Sequence, residues 1–253
     1  MSPFNFSKSD FFLISGPCAI ENQNQMEVIL KSENRPTLIR GGIYKMRTKK
    51  SSFQGLGTDG INIVKSLKKK QSFSFITEIT DPRQIETLLP VVDCFQVGAR
   101  NMYNYELLKE LSLYNRPVIL KRGFSATISE WLGATEYLSD LGENNIYLCE
   151  RGIRTFENKL RNTLDLGAVI YLKKNHQFKV IVDPSHAMGD SKYVADASMA
   201  ALAAGADGLL VEVHPNPSNA LSDPEQALDL TMHRELINKL NKACPLFEKE
   251  LRV

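Results

Sequence analysis

The sequence predicts an α/β fold, a closed (β/α)8 barrel of the TIM type, on three observations. Short apolar runs alternate with longer amphipathic ones along the whole chain. Eight short runs can be read. The 253 residues also match the roughly 250 that such a barrel needs. A doubly wound open sheet is the second choice.

The strands are expected at 11–15, 37–40, 74–78, 94–97, 118–121, 146–149, 179–182 and 208–212. Each is short and mostly apolar, as parallel strands buried on both faces are. Between them lie helical patterns. The first, at 25–31, is short, and the second opens at Gly57-Thr58-Asp59 and runs through Ile61, Val64 and Leu67. Others are expected at 82–92, 105–114, 129–141, 158–172, 192–204 and 224–242. Asp81 before Pro82 combines a capping side chain with proline at the first helical position. This alternation implies right-handed βαβ units. No linker or repeat divides the chain, so one catalytic domain over 1–253 is expected. It carries a short N-terminal extension (1–10) and no separate regulatory domain.

Composition narrows the function. A net charge of +2 gives no polybasic face, which argues against nucleic acid as partner. The four cysteines form no C-x-x-C pair, so a zinc ribbon is excluded and reduced thiols are expected. No apolar run reaches the ~18 residues of a membrane helix, and the stretch at 11–14 is too short for a signal-peptide core. A cytoplasmic protein without membrane contact is expected.

The residues at the strand ends carry the chemistry. In chain order they are Cys18, Arg40, Glu78, Arg100, Lys121, Glu150-Arg151, Asp183-Pro184-Ser185-His186 and Glu212. In a β/α barrel these ends converge on one face, where active sites are built. Solvating charges prefer outer helix faces, so the convergence points to catalysis.

Cys18, His186, Glu212 and Asp223 could together bind a divalent metal. Thiolate, imidazole and carboxylates suit Mn²⁺, Fe²⁺, Zn²⁺ or Co²⁺ better than Mg²⁺ or Ca²⁺. These residues are far apart in sequence, so only the barrel would unite them. Arg40, Lys45, Arg47, Arg100, Lys121 and Arg151 form a cationic rim that would repel itself without anionic ligands. Two phosphorylated substrates bound together would satisfy that rim, unless some of these cations pair with Glu78, Glu150 or Asp183.

Ordered motifs then resemble a known family. They include Gly16-Pro17-Cys18, Arg40-Gly41-Gly42, Lys45-Met46-Arg47-Thr48, Gly98-Ala99-Arg100-Asn101-Met102 and Lys121-Arg122-Gly123. Further along stand Glu150-Arg151-Gly152, Arg161-Asn162-Thr163-Leu164-Asp165, Asp183-Pro184-Ser185-His186 and Val211-Glu212-Val213-His214-Pro215. Together they resemble 3-deoxy-D-arabino-heptulosonate 7-phosphate (DAHP) synthase, in its short type I subgroup. That subgroup is related to 3-deoxy-D-manno-octulosonate 8-phosphate synthase. The resemblance implies condensation of phosphoenolpyruvate with erythrose 4-phosphate, releasing phosphate, at the entry to the shikimate pathway.

It further implies a metal at Cys18, His186, Glu212 and Asp223. It implies phosphoenolpyruvate contacts from Arg40, Lys45, Arg100, Lys121 and Arg151, and the aldehyde's phosphate on Arg47 and Thr48. Lys45, His186 and Asp223 are the expected proton-handling residues, and a homo-oligomer, dimer or tetramer, is expected by resemblance alone. Two alternatives remain at this point. One is the octulosonate enzyme using arabinose 5-phosphate, although Lys45-Met46-Arg47-Thr48 lacks that family's asparagine. The other is a paralogue that binds phosphorylated metabolites without turning them over.

Overall fold

A computed structural model of the chain describes Phe4, residues 6–33 and residues 36–253. Residues 1–3 and 5 of the expected extension lie outside the described residues. The eight expected strands form, as β1 (Asp10–Gly16), β2 (Leu38–Arg40), β3 (Ser74–Ile79), β4 (Cys94–Val97), β5 (Val118–Lys121), β6 (Ile146–Glu150), β7 (Lys179–Val182) and β8 (Gly208–Glu212). All pair in parallel in sequence order, and β1 joins both β8 and β2, which closes the barrel and rules out an open sheet. A further strand, β9 (Glu250–Arg252), pairs with Asp10–Phe12 of β1. The sequence does not predict it, because a three-residue run with two exposed charged residues carries no strand signal.

The helices are α1 (Gln23–Leu30), α2 (Thr58–Lys70), α3 (Ile85–Leu88), α4 (Tyr105–Ser112), α5 (Ile128–Glu136), α6 (Leu166–Asn175), α7 (Pro184–Met188), α8 (Val194–Ala203) and α9 (Leu230–Ala243). Asp81 accepts from the Arg83 amide as expected, but it opens a 3-10 turn (Pro82–Gln84) before the short α3. Two expected helices start late. The stretch 158–165 is a loop in which Ile153 and Thr163 bridge antiparallel, and α6 begins only after its cap Asp165. Likewise 224–229 runs as a loop bridged through Leu228 to Val213, and α9 begins after Asp229. In both cases an aspartate whose carboxylate takes an amide of the first turn sets the true start. The five-residue α7 is too short to show a periodicity in the sequence.

The barrel interior follows the strand's two-residue period. Phe12, Ile14, Leu38, Ile76, Cys94, Ile119, Tyr147, Cys149, Ile181 and Leu210 form one buried cluster within it. Their neighbours Phe11, Leu13, Ile39, Phe75, Phe95, Val118, Leu120, Leu148, Val180, Val182, Leu209 and Val211 belong to a second cluster that packs against the helices. Each fully buried side chain of this size contributes about 1.5–3 kcal/mol. At the strand starts, Phe4 and Phe6 plug the barrel. The Phe6 ring stacks on Phe12 at 4.1 Å, and the Tyr147 hydroxyl donates to the Phe4 carbonyl at 2.7 Å.

Two residues beyond the apolar layer, the inward positions change character. Leu38 is followed by Arg40, Ile76 by Glu78, Cys94 by Gln96, Ile119 by Lys121, Cys149 by Arg151, Ile181 by Asp183 and Leu210 by Glu212. The alternation that builds the core therefore delivers a ring of polar side chains to the C-terminal end of the barrel. Gly16 ends β1 with φ +148°, and a side chain there would meet the Arg40 carbonyl oxygen at 2.0 Å. Only glycine lets β1 and β2 close at this height.

Candidate metal and anion site

Four of the expected residues converge. Cys18, His186, Glu212 and Asp223 each offer a ligand atom, and these atoms lie within 4.8 Å of one another. Cys18 follows β1, Glu212 ends β8, His186 stands in α7 and Asp223 comes from the loop before α9. The Cys18 thiol donates to Asp223 Oδ2 at 3.0 Å and accepts from Ser222 Oγ at 2.9 Å. His186 Nε2 is 3.4 Å from Glu212 Oε1, while its Nδ1 is 2.7 Å from Asp183 Oδ2. Asp183 thereby orients the ring and leaves Nε2 facing the other donors. Gln226 Nε2 donates to the second Glu212 oxygen at 2.7 Å.

The electrostatics fit a cation. Burial, then the charge of Glu212, pushes the Cys18 thiol up to about 12. Burial holds His186 below its ordinary value, against the opposing pull of Asp183 and Glu212. Burial opposes ionisation of Asp223, yet His186, the Cys18 hydrogen bond and Arg161 hold it well below the carboxylate range. A thiol and an imidazole crowded by two carboxylates form a donor set that a divalent ion would satisfy. Asp223 also has φ +52°, a left-handed backbone uncommon for a non-glycine residue, so the loop holds this carboxylate at a conformational cost.

The cationic rim adjoins this group. One cavity at the strand ends is lined by Arg40, Lys45, Arg47, Arg100, Lys121 and Arg151, together with His186 and Asp223. Part of the rim is paired, as the alternative reading of the sequence allowed. Lys45 Nζ is 3.0 Å from Glu78, Lys121 Nζ is 2.5 Å from Asp183, and Arg40 Nη1 is 2.9 Å from Glu212. Glu150 pairs instead with Arg122, which lies outside the rim. Arg47 is 3.4 Å from Asp223 and also bonds Ser222 Oγ. Among the described residues Arg100 and Arg151 have no ion pair, and the buried Nε of Arg40 has no hydrogen-bond partner. Those donors are available to an anion. Although burial pulls Arg151 down to about 10, it remains a cation at neutral pH. Thr48 is exposed and does not line the cavity.

Residues without an assigned role also enter the site. Arg161 lines the cavity and lies 3.1 Å from Asp223 Oδ1. It stands in a motif quoted for the resemblance, which was its only signal. Gln96 occupies the inward position of β4. The Phe124 ring faces three guanidinium groups, those of Arg100 at 5.2 Å, Arg151 at 4.8 Å and Arg154 at 4.7 Å. Geometry of this kind stabilises cations on an aromatic face. All four cysteines are free and buried.

Chemically, the arrangement can hold a divalent ion beside a pocket for more than one anionic group. Known proteins are similar to the chain in sequence and in fold. The profile of the DAHP synthetase I family matches residues 7–245. The chain is 43% identical over 234 residues to a phospho-2-dehydro-3-deoxyheptonate aldolase of Thermotoga maritima, covering 92% of this chain and 69% of the relative. It is 27% identical over 258 residues to a 2-dehydro-3-deoxyphosphooctonate aldolase of Thiobacillus denitrificans, covering 94% and 91%. Among solved structures, the DAHP synthase of T. maritima superposes with a TM-score of 0.90 at 40% identity, covering 96% of this chain and 72% of that one. A truncated form of 3-deoxy-D-arabino-heptulosonate 7-phosphate synthase from T. maritima gives 0.85 at 38%, covering 96% and 90%.

Proposed function

The chain belongs to the DAHP synthetase I family, and on that premise we propose that it condenses phosphoenolpyruvate with erythrose 4-phosphate to give DAHP and phosphate. One observation carries the reading: a mixed thiol, imidazole and carboxylate group adjoins a cavity lined by seven cations, the six of the rim and Arg161. The octulosonate alternative is weaker, because its representatives match at 27% identity or less against 43% for the heptonate enzyme.

In this mechanism Arg100, Arg151, Lys121 and Arg40 neutralise the phosphate and carboxylate of phosphoenolpyruvate. They hold its C3 beside the aldehyde carbon and so lower the entropic part of the barrier. Arg47 takes the distal phosphate of the aldehyde, with Thr48 reaching it from the rim outside the cavity lining, and Arg161, which also lines the cavity, shares that load. C3 attacks the aldehyde carbon, and C2 gains positive character. Water adds at C2, and the hemiketal phosphate expels phosphate by C–O cleavage. Lys45 protonates the new alkoxide. Burial opposes its charge, but the facing Cys18 and Glu78 groups raise its pKa, so the proton is held at Nζ until needed. His186 and Asp223 relay protons to and from the water. The bound ion, for which Mn²⁺ is our choice, would be held by Cys18, His186, Glu212 and Asp223 and would act as a Lewis acid on the aldehyde oxygen.

Among the described residues no helix is long and apolar enough to cross a membrane. We read the chain as one catalytic domain that works in the cytoplasm as a homo-oligomer. A phosphate-release assay with phosphoenolpyruvate and each aldehyde, with and without chelator, tests the central proposal. Release with erythrose 4-phosphate that a chelator abolishes and Mn²⁺ restores is the expected result. Release only with arabinose 5-phosphate, or none with either, would overturn it.

A further inference from the structure

The opposite end of the barrel carries a second concentration of positive charge. A cavity of ≈ 600 Å³ opens between the residues before β1, the end of α6 and the segments leading into β7, β8 and β9. Its lining includes Lys8, Lys173, Lys174, Lys179 and Lys249, and Asp207 is the one acid among the described residues that line it. Every one of these residues precedes or begins a strand, or closes the helix before one. The catalytic cavity is built from residues that end strands, so the two lie at opposite ends of the barrel.

Two of the three inner ammonium groups, those of Lys173 and Lys249, share one carboxylate. Lys173 Nζ is 2.7 Å from Asp207 Oδ2, which also accepts from the Val180 amide at 2.7 Å. Lys249 Nζ reaches the other oxygen of Asp207 only at 4.0 Å and donates to the Lys8 carbonyl at 2.6 Å. Lys179 Nζ donates to the Ser7 carbonyl at 3.0 Å. Carbonyl oxygens position an ammonium without neutralising it. The nearby Asp10 is engaged by Arg252 at 2.9 Å. The mutual repulsion is felt: burial, with the charges of Lys173 and Lys249, holds Lys179 below its ordinary value. Solvated lysines on an open surface would splay apart. These are pinned by backbone contacts around a concavity, with side-chain exposures of 25% for Lys173 and 16% for Lys249.

We infer that this cavity is a second anion site, built for a small molecule of phosphate chemistry carrying at least two negative charges. Its concave shape favours a small ligand over an acidic protein surface. Lysines bind phosphate as point charges, so the site tolerates variation in the rest of the ligand. Lys179 begins β7, and Asp207 immediately precedes β8; these are the strands that lead to His186 and Glu212. An anion here would therefore lie at the foot of two strands that serve the catalytic end.

Calorimetric titration of the full chain with inorganic pyrophosphate at low salt tests the inference. It compares wild type with Lys174→Glu and with the double variant Lys179→Gln/Lys249→Gln. Wild type should show one more anion site than the double variant. Lys174→Glu, an exposed change that leaves the fold intact, should weaken that extra site by about tenfold. Equal stoichiometry and affinity in wild type and a folded double variant would overturn the proposal, since all binding would then belong to the catalytic end. Should the double variant fail to fold, an unchanged isotherm for Lys174→Glu would overturn it equally.

Discussion

Arg40 Nη1 stands 2.9 Å from Glu212 Oε1, and both side chains are almost fully buried, so one carboxylate touches the proposed anion rim and the proposed metal group at once. Replacing Glu212 with Gln keeps the shape and removes the charge. It leaves the Arg40 guanidinium buried without its counter-charge, a change that costs about 3–5 kcal/mol. Urea unfolding of the metal-free variant should show that loss. The same variant should lose the rise in Tm that Mn²⁺ gives wild type. A variant that kept both would disconnect Glu212 from the metal.

Asp183 serves two partners. Its Oδ2 is 2.5 Å from Lys121 Nζ and 2.7 Å from His186 Nδ1. Asp183→Asn can no longer fix the imidazole by charge, so metal affinity should fall about 10–100-fold, as loss of such outer partners typically causes. A Mn²⁺ titration measures it directly. Unchanged affinity would show that the ring orients itself.

Phe124 should act as a positioning residue for Arg100 and Arg151, whose guanidinium groups lie 5.2 and 4.8 Å from its ring centre. Phe124→Leu should raise KM for phosphoenolpyruvate by about tenfold, from two cation–π contacts of about 0.5–1 kcal/mol each. The effect on kcat and on KM for the aldehyde should be small, and Phe124→Tyr should restore the wild-type value. A fall in kcat alone, with no rescue by tyrosine, would contradict the assignment.

His233 supplies a pH dependence outside the lining of the proposed catalytic cavity. Burial lowers its pKa from 6.5 to about 4, with Nε2 held 2.9 Å from Ser15 Oγ. The unfolded chain takes up this proton first as pH falls. Stability is therefore complete above pH ~6.5 and drains away toward pH ~4, by about 3 kcal/mol in all. His233→Gln can keep the contact to Ser15 and does not titrate. The difference in urea midpoint between pH ~7 and pH ~4.5 should shrink in this variant. An unchanged difference would place the acid sensitivity elsewhere.

Much of this was legible in the sequence, for physical reasons. Strands buried on both faces read as short apolar runs, and the change to charge at Arg40, Lys121, Asp183 and Glu212 marks their functional ends. Asp223 was not legible that way. It belongs to a loop with a left-handed backbone, so its residue type and the resemblance, not a strand end, point to it. The 158–165 loop was misread as helix because its residues have ordinary helical propensity. Its actual path brings Arg161 to Asp223 and is set by contacts distant in sequence. Gln96 and Phe124 escaped notice because neither is charged. Thr48 shows the converse, a motif residue that stands outside the cavity lining.

The barrel interior changes from apolar to polar side chains within one two-residue step, at the same height on seven strands. Folding and chemistry are thus assigned to separate storeys of a single structure. Evolution could rewrite the upper storey for another pair of substrates while the lower one goes on specifying the same architecture. An engineer seeking a new reaction could likewise confine a combinatorial library to the positions of Arg40, Glu78, Gln96, Lys121, Arg151, Asp183 and Glu212.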